Sequence, residues 1–301
     1  MVQHYPRLTV CCLLLAGLLL SSGCAKSSTV SSNNSAQSSV SSGPAASSAA
    51  SSESSAVSLS PSNSGSSNSI ESTVSLPPPV KSAPVNAVKQ SAKSDYSYFD
   101  DAVFIGDSVS LKLKNYITIK RKSQPDFMGK AQFLTAGSMG SANALKAVGT
   151  DSIHPAYNGQ KMLLEDSVAA MGAKKVYIML GANDIALYGI EGSVKNMEKL
   201  LANIKTKSPD AMILVQSATP ILKEKQMKQL NNPNLIAYDN ALSKMCQEKN
   251  YYFVDVASAL RDEDGNLPPE FCSDPNILGI HFTDKACEIW IQYLLTHTVK
   301  Q

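Results

Sequence analysis

From residue 95 onward the sequence predicts an α/β fold, a three-layer α/β/α sandwich around a five-stranded parallel sheet. Three observations predict it. Five short apolar runs rise out of polar surroundings, at residues 102–105, 132–135, 175–180, 212–216 and 251–256. Each is followed closely by Gly, Asn, Asp, Ser or Pro, the residues that punctuate turns. Between the runs lie longer segments with helical periodicity, and helices alternating with buried strands make right-handed βαβ units.

In chain order, Ala102-Val103-Phe104-Ile105 reads as the first strand and leads into a helix-like segment at 111–117. Residues 132–135 give the second strand and 175–180 the third, followed by a helix over 190–205. Residues 212–216 form the fourth strand, 238–249 a helix carrying Cys246, and 251–256 the fifth strand. The segment 283–297 closes the chain as an amphipathic helix that contains Cys287 and the only tryptophan, Trp290. No internal repeat is visible. In open parallel sheets ligands bind beyond the carboxyl ends of the strands, so the polar clusters there are the first candidates for chemistry.

The first 94 residues have a different character. Residues 25–94 are dominated by Ser, with scattered Ala, Pro, Val and Asn and almost no aromatic side chain. Such a stretch buries too little apolar surface to offset its ordering entropy, and reads as a disordered tether. As a coil it spans roughly 45–50 Å, and fully extended on the order of 230 Å. Residues 1–24 read as an export signal: Arg7 supplies the positive charge, and 8–20 are apolar but too short to span a bilayer comfortably. Ser21-Ser22-Gly23-Cys24 resembles a bacterial lipobox, in which the cysteine is diacylated and becomes the mature N-terminus. Leu20 stands one place earlier than that pattern has its leucine, and an ordinary secretory signal containing Cys24 is the alternative. The expectation is a lipoprotein held through Cys24 at the extracytoplasmic face of a bacterial membrane, with the domain at 95–301.

Charge and cysteine usage narrow the function. The chain carries a net +2, of which Arg7 and the excess of Lys26, Lys81, Lys89 and Lys93 over Glu53 and Glu71 account for +3. The domain is thus left near −1, with no electrostatic footprint for nucleic acid. Of six cysteines, Cys11 and Cys12 leave with the signal and Cys24 carries lipid. Cys246, Cys272 and Cys287 lack the paired spacing of a zinc site, and three thiols allow at most one disulfide. A monomer without metal or cofactor is expected.

Four polar clusters stand after the strands. Gly106-Asp107-Ser108 places a serine at a strand-to-helix turn, where its hydroxyl is exposed and its N–H points from a helix N-terminus; a plain helix cap is the alternative. Gly106 permits the tight turn. In Gly137-Ser138-Met139-Gly140 the last glycine can offer its N–H to a ligand without a side chain in the way. In Gly181-Ala182-Asn183-Asp184 the Asn183 amide is a donor suited to a tetrahedral oxyanion, or else an Asx-turn. His281, in Gly279-Ile280-His281, is the histidine best placed to activate a serine. His4 lies in the signal, His154 in a long loop and His297 late in the final helix.

Together these blocks resemble the SGNH (GDSL-type) hydrolase family: Phe104-Ile105-Gly106-Asp107-Ser108, residues 136–140, residues 181–184 and Gly279-Ile280-His281-Phe282-Thr283. The resemblance covers essentially all of 95–301. Gly159-Gln160-Lys161-Met162 and residues 293–298 also look like clostridial secreted members. It implies a flavodoxin-like sandwich without a metal, with Ser108 as nucleophile and His281 as base. Ser108 N–H, Gly140 N–H and Asn183 would form the oxyanion hole. One departure stands out: the family usually has Asp three residues before the histidine, and here that residue is Leu278. Asp274, four residues further back, could fold onto His281 as third member; a backbone carbonyl could also hold the ring.

The resulting expectation is a membrane-tethered serine esterase, or acyltransferase, acting on short acyl esters. O-acetyl groups on carbohydrate are the first substrate choice and lysophospholipids the second. The rival is a non-catalytic ligand-binding or scaffold lipoprotein on a degenerate hydrolase fold.

Overall fold

The computed structural model describes residue 84 and residues 86–300. The expected export signal, Cys24 and most of the expected tether lie outside the described residues. In chain order the elements are β1 (Ala102–Gly106), α1 (Ser108–Arg121), β2 (Gln132–Thr135), α2 (Ser141–Ala144), β3 (Ala156–Tyr157) and β4 (Gln160–Lys161). They continue with α3 (Leu164–Met171), β5 (Lys175–Met179), α4 (Ala182–Lys207), β6 (Met212–Gln216), α5 (Asn232–Lys249), β7 (Tyr252–Val254) and α6 (Asp284–Thr296).

Five strands form one parallel sheet, as the sequence predicts, in the order β2-β1-β5-β6-β7. Side chains on a strand alternate between faces, and here both faces are apolar. Val103, Ile105, Val176, Ile178, Ile213 and Val215 pack on one side with α3, α4 and α5. Ala102, Phe104, Tyr177, Met179 and Leu214 pack on the other with α1 and α6. Trp290 is wholly buried in this second layer, and its Nε1–H donates to Gln216 Oε1 at 2.8 Å. The chain crosses from one sheet face to the other after β1 and β2, which puts the switch point of the topology between β1 and β5.

Helix boundaries differ from the sequence reading for local reasons. α4 is two helices joined at Gly189, whose φ of 63° and ψ of −177° only glycine adopts readily. The predicted helix from residue 190 is the second of these; the first, unforeseen, carries Asn183. α5 begins six residues earlier than predicted because Asn231 caps it, accepting the Asn234 N–H at 2.9 Å, with Pro233 in the first turn. The short α2, α3 and the β3–β4 hairpin were also not foreseen.

The domain does not begin at residue 95. Val88 N–H donates to Phe253 O at 2.7 Å, Ser91 N–H to Thr296 O at 2.7 Å and Ser94 N–H to Leu295 O at 2.8 Å. Ala87 bridges Phe253 in parallel fashion, so the last residues assigned to the tether form a strap along β7 and the end of α6. Backbone groups make much of this attachment, joined by the Asn86 amide donating to Gln247 Oε1 at 2.7 Å and by the Ser91 and Ser94 hydroxyls, each 3.0 Å from Thr298 Oγ1; partners this far along the chain leave no sign in a Ser- and Lys-rich composition.

Candidate active site

Ser108 is the first residue of α1, directly after β1. Asp107 caps the helix, its Oδ1 accepting the Val109 N–H at 2.9 Å, which leaves the Ser108 N–H without an acceptor among the described residues. Gly106 has no positive φ; it is required because a Cβ there would stand 2.0 Å from Ser110 Oγ and 3.0 Å from Met179 O. The glycine thus lets the helix seat closely on the sheet, whereas the sequence predicts that it opens a tight turn.

His281 reaches this serine from the far end of the chain, with Nε2 at 2.9 Å from Ser108 Oγ. Its Nδ1 lies 2.7 Å from Asp274 Oδ2. A carboxylate only accepts, so the ring proton sits on Nδ1 and the Nε2 lone pair faces the serine hydroxyl. This is the tautomer a base needs.

The loop between Asp274 and His281 explains how seven residues do what three usually do. Cys272 pairs with Phe282 in an antiparallel bridge, and Ser273 N–H donates to His281 O at 2.8 Å, closing the loop at its base. Asp274 O accepts from Ile277 N–H at 2.9 Å and Gly279 N–H at 3.2 Å, folding the tip back. Gly279 takes a φ of 68°, and its O accepts the Leu222 N–H at 3.0 Å. Asp274 Oδ1 gathers three more donors: Ile280 N–H at 3.1 Å, His281 N–H at 3.0 Å and Cys272 Sγ at 3.3 Å. Burial pushes the Asp274 carboxyl up, but the His281 backbone and ring and the Cys272 thiol outweigh it and hold the group below its ordinary value. Leu278 takes no part and is exposed.

The remaining expected donors are placed less simply. Asn183 Nδ2 donates to Asp107 Oδ2 and to Met139 O, both at 3.2 Å. Burial pushes the Asp107 carboxyl up to about 6, partly offset by the Val109 and Ser110 N–H groups and by His281. Gly140 differs from expectation: its N–H is already engaged, donating to Asn143 Oδ1 at 2.8 Å. A Cβ at this position would meet Asp184 Oδ1 at 2.6 Å, so packing as well as access demands the glycine.

Three neighbours were not singled out from the sequence. Asp184, buried beside Asn183, accepts from Ser141 N–H at 2.7 Å, Ser141 Oγ at 2.9 Å and Ala142 N–H at 3.0 Å, tying the β2 loop to the β5 loop. Tyr238 donates to Leu180 O at 3.0 Å and lies where a Cβ on Gly181 would clash. Asn143 is the third. Adjacency to the motif residues was the available signal for Asp184; none existed for Asn143 or Tyr238. The other two described histidines are elsewhere: His154 is buried with Nε2 3.0 Å from Ala144 O, and His297 stacks on Tyr293. Cys246, Cys272 and Cys287 are buried, unpaired thiols.

The profile of the GDSL-like Lipase/Acylhydrolase family matches residues 104–289, more than half of the chain and a span that includes Ser108, Gly140, Asn183, Asp274 and His281. No curated protein matches. Among solved structures, a GDSL-like lipase from Bacteroides thetaiotaomicron is 13% identical, covering 65% of this chain and 86% of its own, with a TM-score of 0.48. The periplasmic domain of a lipopolysaccharide acetyltransferase from Salmonella ser. Paratyphi A is 16% identical, covering 64% and 82%, with a TM-score of 0.44.

Proposed function

The chain belongs to the GDSL-like lipase/acylhydrolase family, and from that premise we propose that it is a serine esterase working through an acyl-enzyme on Ser108. The observation that carries the reading is the unbroken hydrogen-bonded chain Ser108 Oγ–His281 Nε2, His281 Nδ1–Asp274 Oδ2. His281 Nε2 takes the hydroxyl proton as Ser108 Oγ bonds to the ester carbonyl carbon. The carbonyl oxygen becomes an oxyanion within reach of the Ser108 N–H at the start of α1 and the Asn183 amide. As the tetrahedral intermediate collapses, the C–O bond to the alcohol breaks and His281 returns the proton to the leaving oxygen. Water, or a second alcohol in an acyl transfer, then repeats the steps in reverse on the acyl-enzyme.

The substrate reading begins with short acyl esters such as O-acetyl groups on carbohydrate, which suit an envelope protein held at the membrane by a lipid on Cys24. A second reading has its own support. Leu187 is 76% exposed and Tyr188 45%, four and five residues past Asn183; Ile277 is 74% exposed inside the Asp274–His281 loop, next to the exposed Leu278. Apolar side chains held in water on the two segments that carry Asn183 and His281 favour an ester with an aliphatic portion, such as a lysophospholipid.

The test uses the purified full chain with p-nitrophenyl acetate, butyrate and octanoate, beside Ser108→Ala and His281→Ala. Loss of at least 10³-fold in both variants is expected. Wild-type turnover equal to that of Ser108→Ala on all three esters overturns the esterase reading in favour of a binding lipoprotein. A preference for octanoate over acetate selects the second substrate reading. Partition of the native chain into the detergent phase checks the lipid anchor.

A further inference from the structure

We propose that Asn143 is a latch on the oxyanion hole: its side chain holds the Gly140 N–H in the resting protein and yields it to the oxyanion as charge develops. The inference rests on the esterase reading above and concerns how that site is regulated from within.

The family resemblance assigns three donors to the hole, and here they are in different states. The Ser108 N–H is open. The Asn183 amide is engaged only through two long hydrogen bonds of 3.2 Å. The Gly140 N–H has the shortest contact of the three, 2.8 Å to Asn143 Oδ1. Asn143 is itself steadied, its Nδ2 donating to Ser138 O at 3.1 Å, and Ser138 adopts a φ of 58° that non-glycine residues seldom take. A carbonyl oxygen entering the hole therefore meets one free donor, one held loosely by Asp107 and Met139, and one occupied by a neutral amide oxygen.

The exchange is favoured only in the charged state. A neutral ester oxygen is no better an acceptor than Asn143 Oδ1, so it gains nothing by displacing it. An oxyanion forms hydrogen bonds roughly twice as strong as neutral ones, and it can take the Gly140 N–H from the amide. The Gly140 contact is then made in the transition state and not in the ground state, the kind of interaction that raises kcat rather than lowering KM. Breaking the resting bond still costs the reaction something, on the order of 2–10-fold in rate for a typical net hydrogen bond.

Removing the latch should leave the loop in place. Asp184 pins the next two residues through Ser141 N–H, Ser141 Oγ and Ala142 N–H, none of which involves Asn143. The position of Gly140 is thus held from the β5 side even when the Asn143 side chain is gone. This makes the sign of the effect opposite to that of ordinary site damage.

The experiment measures the second-order rate at which an alkyl fluorophosphonate modifies Ser108, followed by intact mass, together with kcat and KM on the best ester. In the labelling step the Ser108 Oγ–P bond forms, the P–F bond breaks, fluoride leaves, the serine proton passes to His281 and the phosphoryl oxygen occupies the hole. Asn143→Ala is expected to label about 2–10-fold faster and to raise kcat/KM by a similar factor. Asn143→Asp, which keeps an acceptor and charges it, is expected to slow both at least 10-fold, because it grips the N–H more firmly and repels the oxyanion. An Asn143→Ala rate that is unchanged or lower, at an unchanged melting temperature, overturns the latch. Two variants slowed alike overturn it too, since Asn143 then only shapes the loop. If wild-type Ser108 fails to label at all, the esterase reading falls and the latch with it; labelling without the Asn143→Ala gain removes the latch alone.

Discussion

Asp274 in the active-site loop and Asp239 in α5 are both largely buried carboxylates with a nitrogen partner, yet their acidities diverge. The Asp274 side chain is 10% exposed and its pKa is lowered; the Asp239 side chain is 2% exposed and its pKa is pushed up to about 8. Burial is the largest influence on each. The difference lies in how many donors answer it. Asp274 draws two backbone N–H groups, a thiol and the His281 ring into one loop. Asp239 has the Arg261 guanidinium at 2.8 Å and the Ala218 N–H at 2.7 Å, but it also has the Asp255 carboxyl nearby, which pushes it further up. Asp255 is itself raised by burial, offset only in part by the Arg261 charge, the Ser217 hydroxyl and the Ser258 N–H. A formal ion pair in the core therefore does less for its carboxylate than a turn of loop backbone does at the surface of the site.

The contrast can be broken most sharply at the loop. Asp274→Asn keeps the shape but offers the imidazole an ambiguous partner, and turnover should fall on the order of 10³–10⁴-fold, the scale of loss a wrong tautomer causes in serine protease triads. Steady-state kinetics beside a thermal melt checks this; a loss under tenfold would mean that the imidazole is oriented without the carboxylate.

The core cluster should show itself in stability. Asp239 binds its proton more tightly folded than unfolded, with a folded pKa of about 8 against 3.8. Its contribution is fully present below the unfolded value and is lost as pH rises through the folded one. Urea unfolding midpoints at pH 5 and pH 8 should therefore fall with pH. Asp255→Asn removes the repulsion and should recover about 1 kcal/mol at pH 8, with less gain at pH 5. A variant as pH-sensitive as wild type would place the effect elsewhere.

Cys272→Ala gives the smallest change. Asp274 Oδ1 keeps two backbone donors without the thiol, so kcat should fall only a few-fold, near the value of one weak hydrogen bond. A loss as deep as that of Asp274→Asn would mean that the thiol, not the backbone, holds the carboxylate.

The sheet and the four loops at its carboxyl edge could be read from the sequence because each depends on short, contiguous patterns: apolar runs, then glycine with a polar residue. Asp274 could be named because the segment before His281 offers one aspartate in a turn-prone setting, Ser273-Asp274-Pro275-Asn276. The hydrogen bonds that put it there could not, since they come from backbone groups that every sequence carries. The same reason hides the Gly140–Asn143 contact, whose donor is a backbone N–H, and much of the strap from residue 86, which is attached largely through main-chain atoms. Asp239, Arg261 and Asp255 come from three separate segments, and only the folded chain brings them together.

The strap has a consequence for handling the protein. β7 is one of the two edge strands of the sheet, and Ala87 and Val88 cover part of its free edge through Phe253. A chain shortened to begin at residue 95 would uncover that edge and the adjoining end of α6, leaving unpaired N–H and C=O groups open to a second molecule's strand. Such a truncation would be prone to self-association in solution even with every reacting group intact, whereas one that begins at residue 84 would carry its own edge guard.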